Sequence, residues 1–475
     1  MKSYIKLLCL VMVLSFALAL ITGCKKDTLD TDTNVETNNG EVAGISPKNY
    51  DRDFVILNPN GELYVDYYWA EDLSNASNIS RVNYEREAAI EDHLGIQIKH
   101  EIFERKDGVL YTTLESSVLA GDDLYQLVLT HCFQNLVNVM SQSYLSDLSQ
   151  IPSISMNEDY YNNNIMDSVK YQGKTFLGSS SLILHSPAVI LFNKEMADSY
   201  ESVGSDKLYQ HVRDNTWTLE QMFSYAKLVD VSRNDTLSNP VDGTYGFVTQ
   251  IDWEMTSFVA ASGYRHVTVD SEGKYTLQGF NENIFGIFQK IATFADSAYF
   301  YGWNWGTEGK SISMDSGRAF FATAGVDTMI HQMTNSDVKL GVLPYPTMES
   351  GMVAQNLDWA GYFCIPSVIQ DAQLSGEVIE LLSYYGETLI KHEFYDVLLG
   401  YRAAQEIQDT EMLELIFDNL TIEPALAFLN RGSSDLARIF YVVPNMIQQN
   451  KKAMSSWYAE HYSLAKKQLE EMNNK

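Results

Sequence analysis

Apolar and polar positions along this chain follow two periods, and one stretch follows neither. From Leu182 to Phe192 the chain is almost wholly apolar apart from Ser186 and Pro187, and it turns polar at Asn193-Lys194-Glu195. Gly178 and Ser179 precede the run. A continuous apolar segment bounded in this way reads as an interior strand, buried on both faces. Pro187 interrupts it, because proline cannot donate to a central ladder. Two readings follow: two short strands meeting at a bend, as in a segment crossing between two domains, or one core strand with an edge bulge.

The flanking pattern is regular. Leu63–Tyr68 predicts a strand that enters a loop at Trp69. A helix over 81–94 ends at Gly95, a natural residue for a left-handed C-terminal cap. Ile96, Ile98 and Ile102 mostly alternate with polar residues, giving another strand. A second helix, 110–120, stops at Gly121, and 124–129 gives the next strand. Strand, helix, strand, helix, strand is the rhythm of an open α/β sheet. Beyond the apolar run, Thr218-Leu-Glu-Gln221 reads as a capping box, with Trp217 and Met222 as its hydrophobic staple. Leu219, Met222, Phe223, Ala226 and Val229 then share one helical face. Strands at 244–248, 275–277 and 317–324 are interleaved with helices at 251–263 and around Phe285–Ala295. A second apolar segment, Asp358–Pro366, precedes a helix over 376–389, and helices from Glu411 onward run to Lys475.

Open α/β sheets take ligands outside the carboxyl ends of their strands. Tyr68 and Trp69, after the first strand, and His131, after the third, are therefore candidate contacts. His131 reads more simply as a hydrogen-bonded loop histidine, with ligand contact as the alternative. Trp303 and Trp305 stand in a polar, Gly-flanked loop with little core nearby. Trp217 and Trp457 are assigned to packing.

Length and composition narrow the class. A chain of 475 residues with 45% hydrophobic and 20% charged residues is ample for two or three globular domains. Its aromatic content of 12%, with 29 tyrosines, is high; it would suit surfaces that hold carbohydrate, and tyrosine is also common in plain cores. Lys2 and Lys6 precede an apolar run over 7–21 and then Thr22-Gly23-Cys24, the layout of a secretory signal and too short for a membrane span. Cleavage after residue 23 leaves 31 Lys and Arg against 62 Asp and Glu, a net charge of −31. Such a surface disfavours nucleic acid, whose phosphates demand clustered Lys and Arg. Residues 24–60 are read as a flexible tether, since 25–45 are rich in Asp, Thr, Asn and Gly and nearly free of large apolar side chains. Of the four cysteines, Cys9 leaves with the signal and Cys24 stands at its cleavage point; Cys132 and Cys364 lie in the body, and their pairing is open. No motif specific for a metal is present, and no cofactor is implied.

Several short groups resemble, in order, the extracellular solute-binding proteins of family 1, the capture components of ABC importers for sugars. These are Phe192-Asn-Lys-Glu195 with the Trp217-Thr-Leu-Glu-Gln helix, Ala120-Gly-Asp-Asp-Leu-Tyr-Gln-Leu-Val128, Ala260-Ala-Ser-Gly263, Gly317-Arg-Ala-Phe-Phe321 and Leu340-Gly-Val-Leu-Pro-Tyr-Pro346. Thr22-Gly-Cys24 likewise resembles a bacterial lipobox, in which Cys24 is lipidated. The resemblance covers 61–475. It implies an α/β, two-lobed periplasmic-binding-protein-like fold of type II, with a cleft between lobes and three inter-lobe crossings. The lobes would be 61–186 with 361–410, and 187–360 with 411–475. Trp253 falls on the family's sugar-stacking aromatic. The loop after the strand ending at Ala324, with Asp327, faces the cleft but lacks the tryptophans of the maltose binders. His185 and Trp359, on the two crossings, complete the implied ligand set. The implied protein is a monomer and not an enzyme, lipid-anchored outside the bacterial cell membrane, and it hands its carbohydrate to a membrane permease. A secreted glycoside hydrolase would need two carboxylates at a set separation; no local signature of such a site is present. A sensory or adhesive lipoprotein could use the same fold.

Overall fold

The computed structural model describes residues 40–59, 78–104, 108–131, 134, 136–230, 238–279, 281–304, 311–359, 361–393, 407–428, 435–448 and 455–474. The chain divides into Met1–Ser46 and Pro47–Lys475. In the first unit the described residues form a tight turn, closed by reciprocal bonds of 3.0 and 2.8 Å between the backbones of Val42 and Ile45. The expected signal and Cys24 lie outside the described residues, among which no helix is long and apolar enough to cross a membrane.

The second unit holds two main sheets. Its strands, in chain order, are Arg52–Pro59 (β1), Ile96–Phe103 (β2), Leu127–His131 (β3), Ala188–Asn193 (β4), Tyr245–Gln250 (β5), Val267–Val269 (β6), Tyr275–Leu277 (β7), Phe300–Trp303 (β8), Ala319–Gly325 (β9), Leu340–Leu343 (β10), Asn356–Leu357 (β11), Gly361–Cys364 (β12) and Leu420–Thr421 (β13). The first sheet has the order β12-β3-β1-β2, with β12 alone antiparallel to its neighbour. The second has the order β10-β4-β9-β5-β8, with β4 antiparallel to both neighbours.

β1 corrects the expected tether, because it lies at the centre of the first sheet, between β3 and β2. Only Phe54-Val-Ile-Leu57 is apolar in it, and charges precede this run, so the sequence offers neither alternation nor length. A strand flanked on both sides needs no alternation, and Phe54, Ile56 and Leu57 are all buried. The strand expected at Leu63–Tyr68 lies outside the described residues.

The helices fall close to expectation. Asn78–Leu94 ends at Gly95 and Val109–Ala120 at Gly121, both glycines at positive φ (60° and 67°). At Gly95 a Cβ would stand 2.2 Å from Asn49 Oδ1, so glycine also allows a close approach. Thr218 Oγ1 accepts from Gln221 N (3.2 Å), as a cap should. The Gln221 side chain turns to Ser224 (3.2 Å) and does not close the box. Trp217 is buried against Phe321, with its indole N–H on Pro344 O at 3.0 Å.

The apolar run at 182–192 is neither of the two arrangements expected from it. Leu182–Ser186 is turn and irregular chain, and β4 begins at Ala188, directly after the proline that cannot donate. Pro187 still accepts, from Val326 N at 3.2 Å. β4 itself is wholly buried, as the pattern required.

The helix Ile407–Asp418 docks on the second sheet through Asp409. Its carboxylate receives Lys194 Nζ (2.8 Å), the Tyr209 hydroxyl (2.5 Å) and the Val342 amide (3.1 Å). The last crossing was expected near 395–410; residues 394–406 lie outside the described residues, and 407–410 open this helix. Cys364 is a free, buried thiol, which burial pushes up to about 12; Cys132 is outside the described residues.

Candidate functional site at the facing carboxyl edges

Strand direction and register fix where a ligand can be held. In the first sheet β1, β2 and β3 run parallel and end at Pro59, Phe103 and His131. β12 begins at that same edge, with Gly361 opposite His131. In the second sheet β5, β8 and β9 end at Gln250, Trp303 and Gly325, and β4 begins there, with Ala188 opposite Gly325. The segments that lead into β4 and β12 therefore join the carboxyl edge of one sheet to that of the other. This is the place at which α/β sheets hold ligands.

The joining segments are tied to each other. Pro187 and Asp358 form an antiparallel bridge. The buried Asp358 carboxylate accepts from Ser186 N (3.2 Å) and pairs with His185 Nδ1 at 2.7 Å. The Asp358 amide donates to Thr421 O (2.8 Å), and β11 pairs in parallel with β13, so a third segment lies alongside. A groove of about 390 Å³ opens along this junction, lined in part by Tyr160, His185, Glu387, Asp418 and Leu420. Ser181 Oγ bonds to Glu387 at its wall.

The expected site residues distribute as follows. His131 closes β3 and is 2% exposed. Trp303 closes β8, half-buried, with its ring 6.3 Å from that of Tyr301. Trp253 is the third residue of the helix Ile251–Ala261 that follows β5, and Asp327 the second of the helix Val326–Asn335 that follows β9. The latter helix occupies what was expected to be a loop. These four stand at or just beyond carboxyl ends of strands. His185 and Trp359 sit on the joining segments, His185 held by Asp358 and Trp359 edge-on to Phe440 (6.3 Å). Tyr68, Trp69 and Trp305 lie outside the described residues.

Asp358 was not singled out in the sequence, because a single aspartate before Trp359 carries no local signal. Gln250 was also passed over, although a polar residue ending the apolar strand Tyr-Gly-Phe-Val-Thr was visible. Behind β13 lies a buried ionisable group of similar standing. Glu423 accepts from the amides of His266 (2.7 Å), Val267 (3.1 Å) and Ala425 (3.1 Å), and burial raises its carboxyl to about 7 against the pull of Arg265. Burial, with Arg265 adding to it, lowers His266 to about 3, so that imidazole is neutral. Arg265 fastens the region, donating to Gln355 Oε1 (2.6 Å), Ala260 O (2.8 Å) and Thr421 Oγ1. Among the described residues no group of three or more His, Cys, Asp or Glu is placed to hold a metal ion.

No family model matches the chain, and no curated protein matches it in sequence. Solved structures do match in fold. The ABC substrate-binding protein Lmo0181 from Listeria monocytogenes, in complex with cycloalternan, aligns over 87% of this chain and 98% of its own at a TM-score of 0.58 and 13% identity. Maltose-bound MalE3 of T. maritima covers 89% of this chain and 100% of its own, at 0.54 and 12%. An ABC transporter solute-binding protein from Thermotoga lettingae, bound with alpha-D-tagatose, covers the same shares at 0.52 and 12%. The chain thus has the two-lobed α/β fold of the maltose-binding-protein-like solute-binding proteins.

Proposed function

We propose that this protein captures a sugar or oligosaccharide between its two lobes for an ABC importer. The observation that carries the reading is the meeting of both carboxyl edges at tied joining segments, in a fold shared with three sugar-bound structures. Ligand contacts from both edges would favour the closed arrangement over the open one, which is the thermodynamic basis of hinge closure. The working division is one lobe from 61–186 and 361–410, extended to include β1, and another from 187–360 and 411–475. Asp409 moves the last boundary slightly, since it docks on the second sheet.

The test is a thermal-shift screen against mono- and oligosaccharides, because a ligand that binds only the folded state raises its melting temperature. Trp253 is expected to stack on a sugar ring: an indole offers a broad apolar face and loses few rotamers on binding. Trp253→Ala should then weaken binding by about 2 kcal/mol, roughly thirtyfold in Kd, with the unliganded melting temperature nearly unchanged. Strong destabilisation with affinity retained would make Trp253 a packing residue.

The body is held outside the cell membrane by a lipid on Cys24, with the permease as its partner. A Cys24→Ser chain is expected to leave the membrane fraction after a salt wash; retention there would remove the anchor from this account.

A further inference from the structure

The pair of His185 and Asp358 uses only one edge of the imidazole. Nδ1 stands 2.7 Å from Asp358 Oδ2, in a carboxylate 1% exposed whose other oxygen accepts from Ser186 N at 3.2 Å. The antiparallel bridge between Pro187 and Asp358 fixes the two backbones beside it. Nε2 bonds to no described residue, and it is open to solvent, unlike the sealed polar atoms that lack a partner. The His185 side chain is 13% exposed and lines the groove of about 390 Å³ at the junction. The ring therefore turns its Nδ1 edge to the buried carboxylate and leaves its Nε2 edge to the groove. Two neighbouring groups of the wall are already engaged: Glu387 by Ser181 Oγ and Lys391 Nζ (2.7 Å), and the Tyr160 hydroxyl by Glu380.

Chemistry fixes what the free edge offers. An ionised carboxylate can only accept, so Nδ1 carries the proton and Nε2 of the neutral ring bears a lone pair. A carboxylate behind an imidazole selects the tautomer, locks the orientation of the ring and strengthens the outer nitrogen as an acceptor; metal-bound histidines are held in the same way. The group that meets Nε2 must then donate, as a sugar hydroxyl can. We infer that Asp358 is a positioning residue, which holds His185 as the Nδ1–H tautomer so that Nε2 accepts from a ligand hydroxyl in the groove. This rests on the carbohydrate reading above.

The experiment reads the tautomer and the affinity together, with maltotriose, cellotriose and xylotriose as probes. Nitrogen-15 spectra of histidine-labelled protein at about pH 8, where free imidazole is neutral, distinguish a protonated ring nitrogen from one with a lone pair. Wild-type His185 should show the proton on Nδ1, and the probe that binds should shift the Nε2 resonance while leaving Nδ1 nearly still. Asp358→Asn keeps an acceptor for Ser186 N but turns an amide N–H toward Nδ1, so the proton should move to Nε2. A hydroxyl that donated to Nε2 would then meet a donor, and the calorimetric Kd should rise about tenfold. If no probe raises the melting temperature of the wild type, the carbohydrate reading fails and takes this inference with it. If a probe binds but leaves Nε2 unshifted, or if the free wild type carries the proton on Nε2, this inference alone is overturned; both readings use the wild type and stand even if the variant fails to fold. A variant that keeps the wild-type tautomer, or that binds with wild-type affinity whatever its melting temperature, would make Asp358 a purely structural residue and would likewise overturn it.

Discussion

Replacing Asp409 by alanine is expected to remove about 3–5 kcal/mol of folding stability. The carboxylate is 1% exposed and joins four separate segments: the helix it belongs to, Lys194 directly after β4, Tyr209 on the helix Ser205–Arg213, and the Val342 amide of β10. Burial holds its carboxyl above the ordinary range, and Lys194, Tyr209 and the Val342 amide only partly offset this. The pair as a whole is therefore a modest stabiliser, but losing one half of it is costly, because the Lys194 ammonium, 7% exposed, is deprived of its carboxylate. A Lys194→Met, Asp409→Leu double variant should recover much of the loss, since two apolar groups leave no charge to desolvate. Urea unfolding followed by circular dichroism measures both. A loss below about 1 kcal/mol for Asp409→Ala would show that the network is dispensable.

The second large effect depends on pH. Glu423 has a folded-state value of about 7 against an ordinary 4.5, so between these two values the folded protein holds a proton that the unfolded chain has released. Stability contributed by this group is complete below pH 4.5 and is lost as pH rises through 7. The neighbouring His266 acts in the opposite sense: its depressed value, about 3, makes stability fall as pH drops below the ordinary 6.5. The two slopes largely cancel between pH 4.5 and 6.5, so the wild-type profile alone does not isolate either group. A difference between variants does. Glu423→Gln cannot keep both acceptor oxygens, and it loses a constant amount at every pH, namely the bond from His266 N or those from Val267 and Ala425. Relative to wild type, however, it should gain about 3 kcal/mol between pH 4.5 and pH 8. Urea midpoints at the two pH values give the comparison. A variant that tracks the wild type at a fixed offset would mean that Glu423 titrates in the ordinary range.

Signals confined to a few neighbouring residues were legible in the sequence. Helix ends at Gly95 and Gly121 could be placed because a left-handed cap at positive φ favours glycine wherever it occurs. Thr218 could be named as a cap because its hydroxyl reaches an amide three residues on. The apolar run before Asn193 could be read as buried on both faces without knowing its neighbours, although Pro187 shortened the strand to the part after it. The ordered set of family-like groups pointed to a two-lobed α/β fold, which the solved structures share.

What tertiary structure alone decided are the pairings over long separations. β1 takes the centre of a sheet on the strength of burial between β2 and β3, while its own four apolar residues are too few to announce a strand. His185, offered by the sequence as a ligand contact, is engaged by Asp358, 173 residues away. Asp409 meets a lysine 215 residues earlier, and Glu423 meets amides of the chain some 157 residues before it. Periodicity and capping act within a turn or two of helix, so the sequence by itself determined which elements form and where several of them stop. Strand order, register and the partners of buried charges depend on which distant surfaces exclude water together, and only the folded chain brings those surfaces into contact.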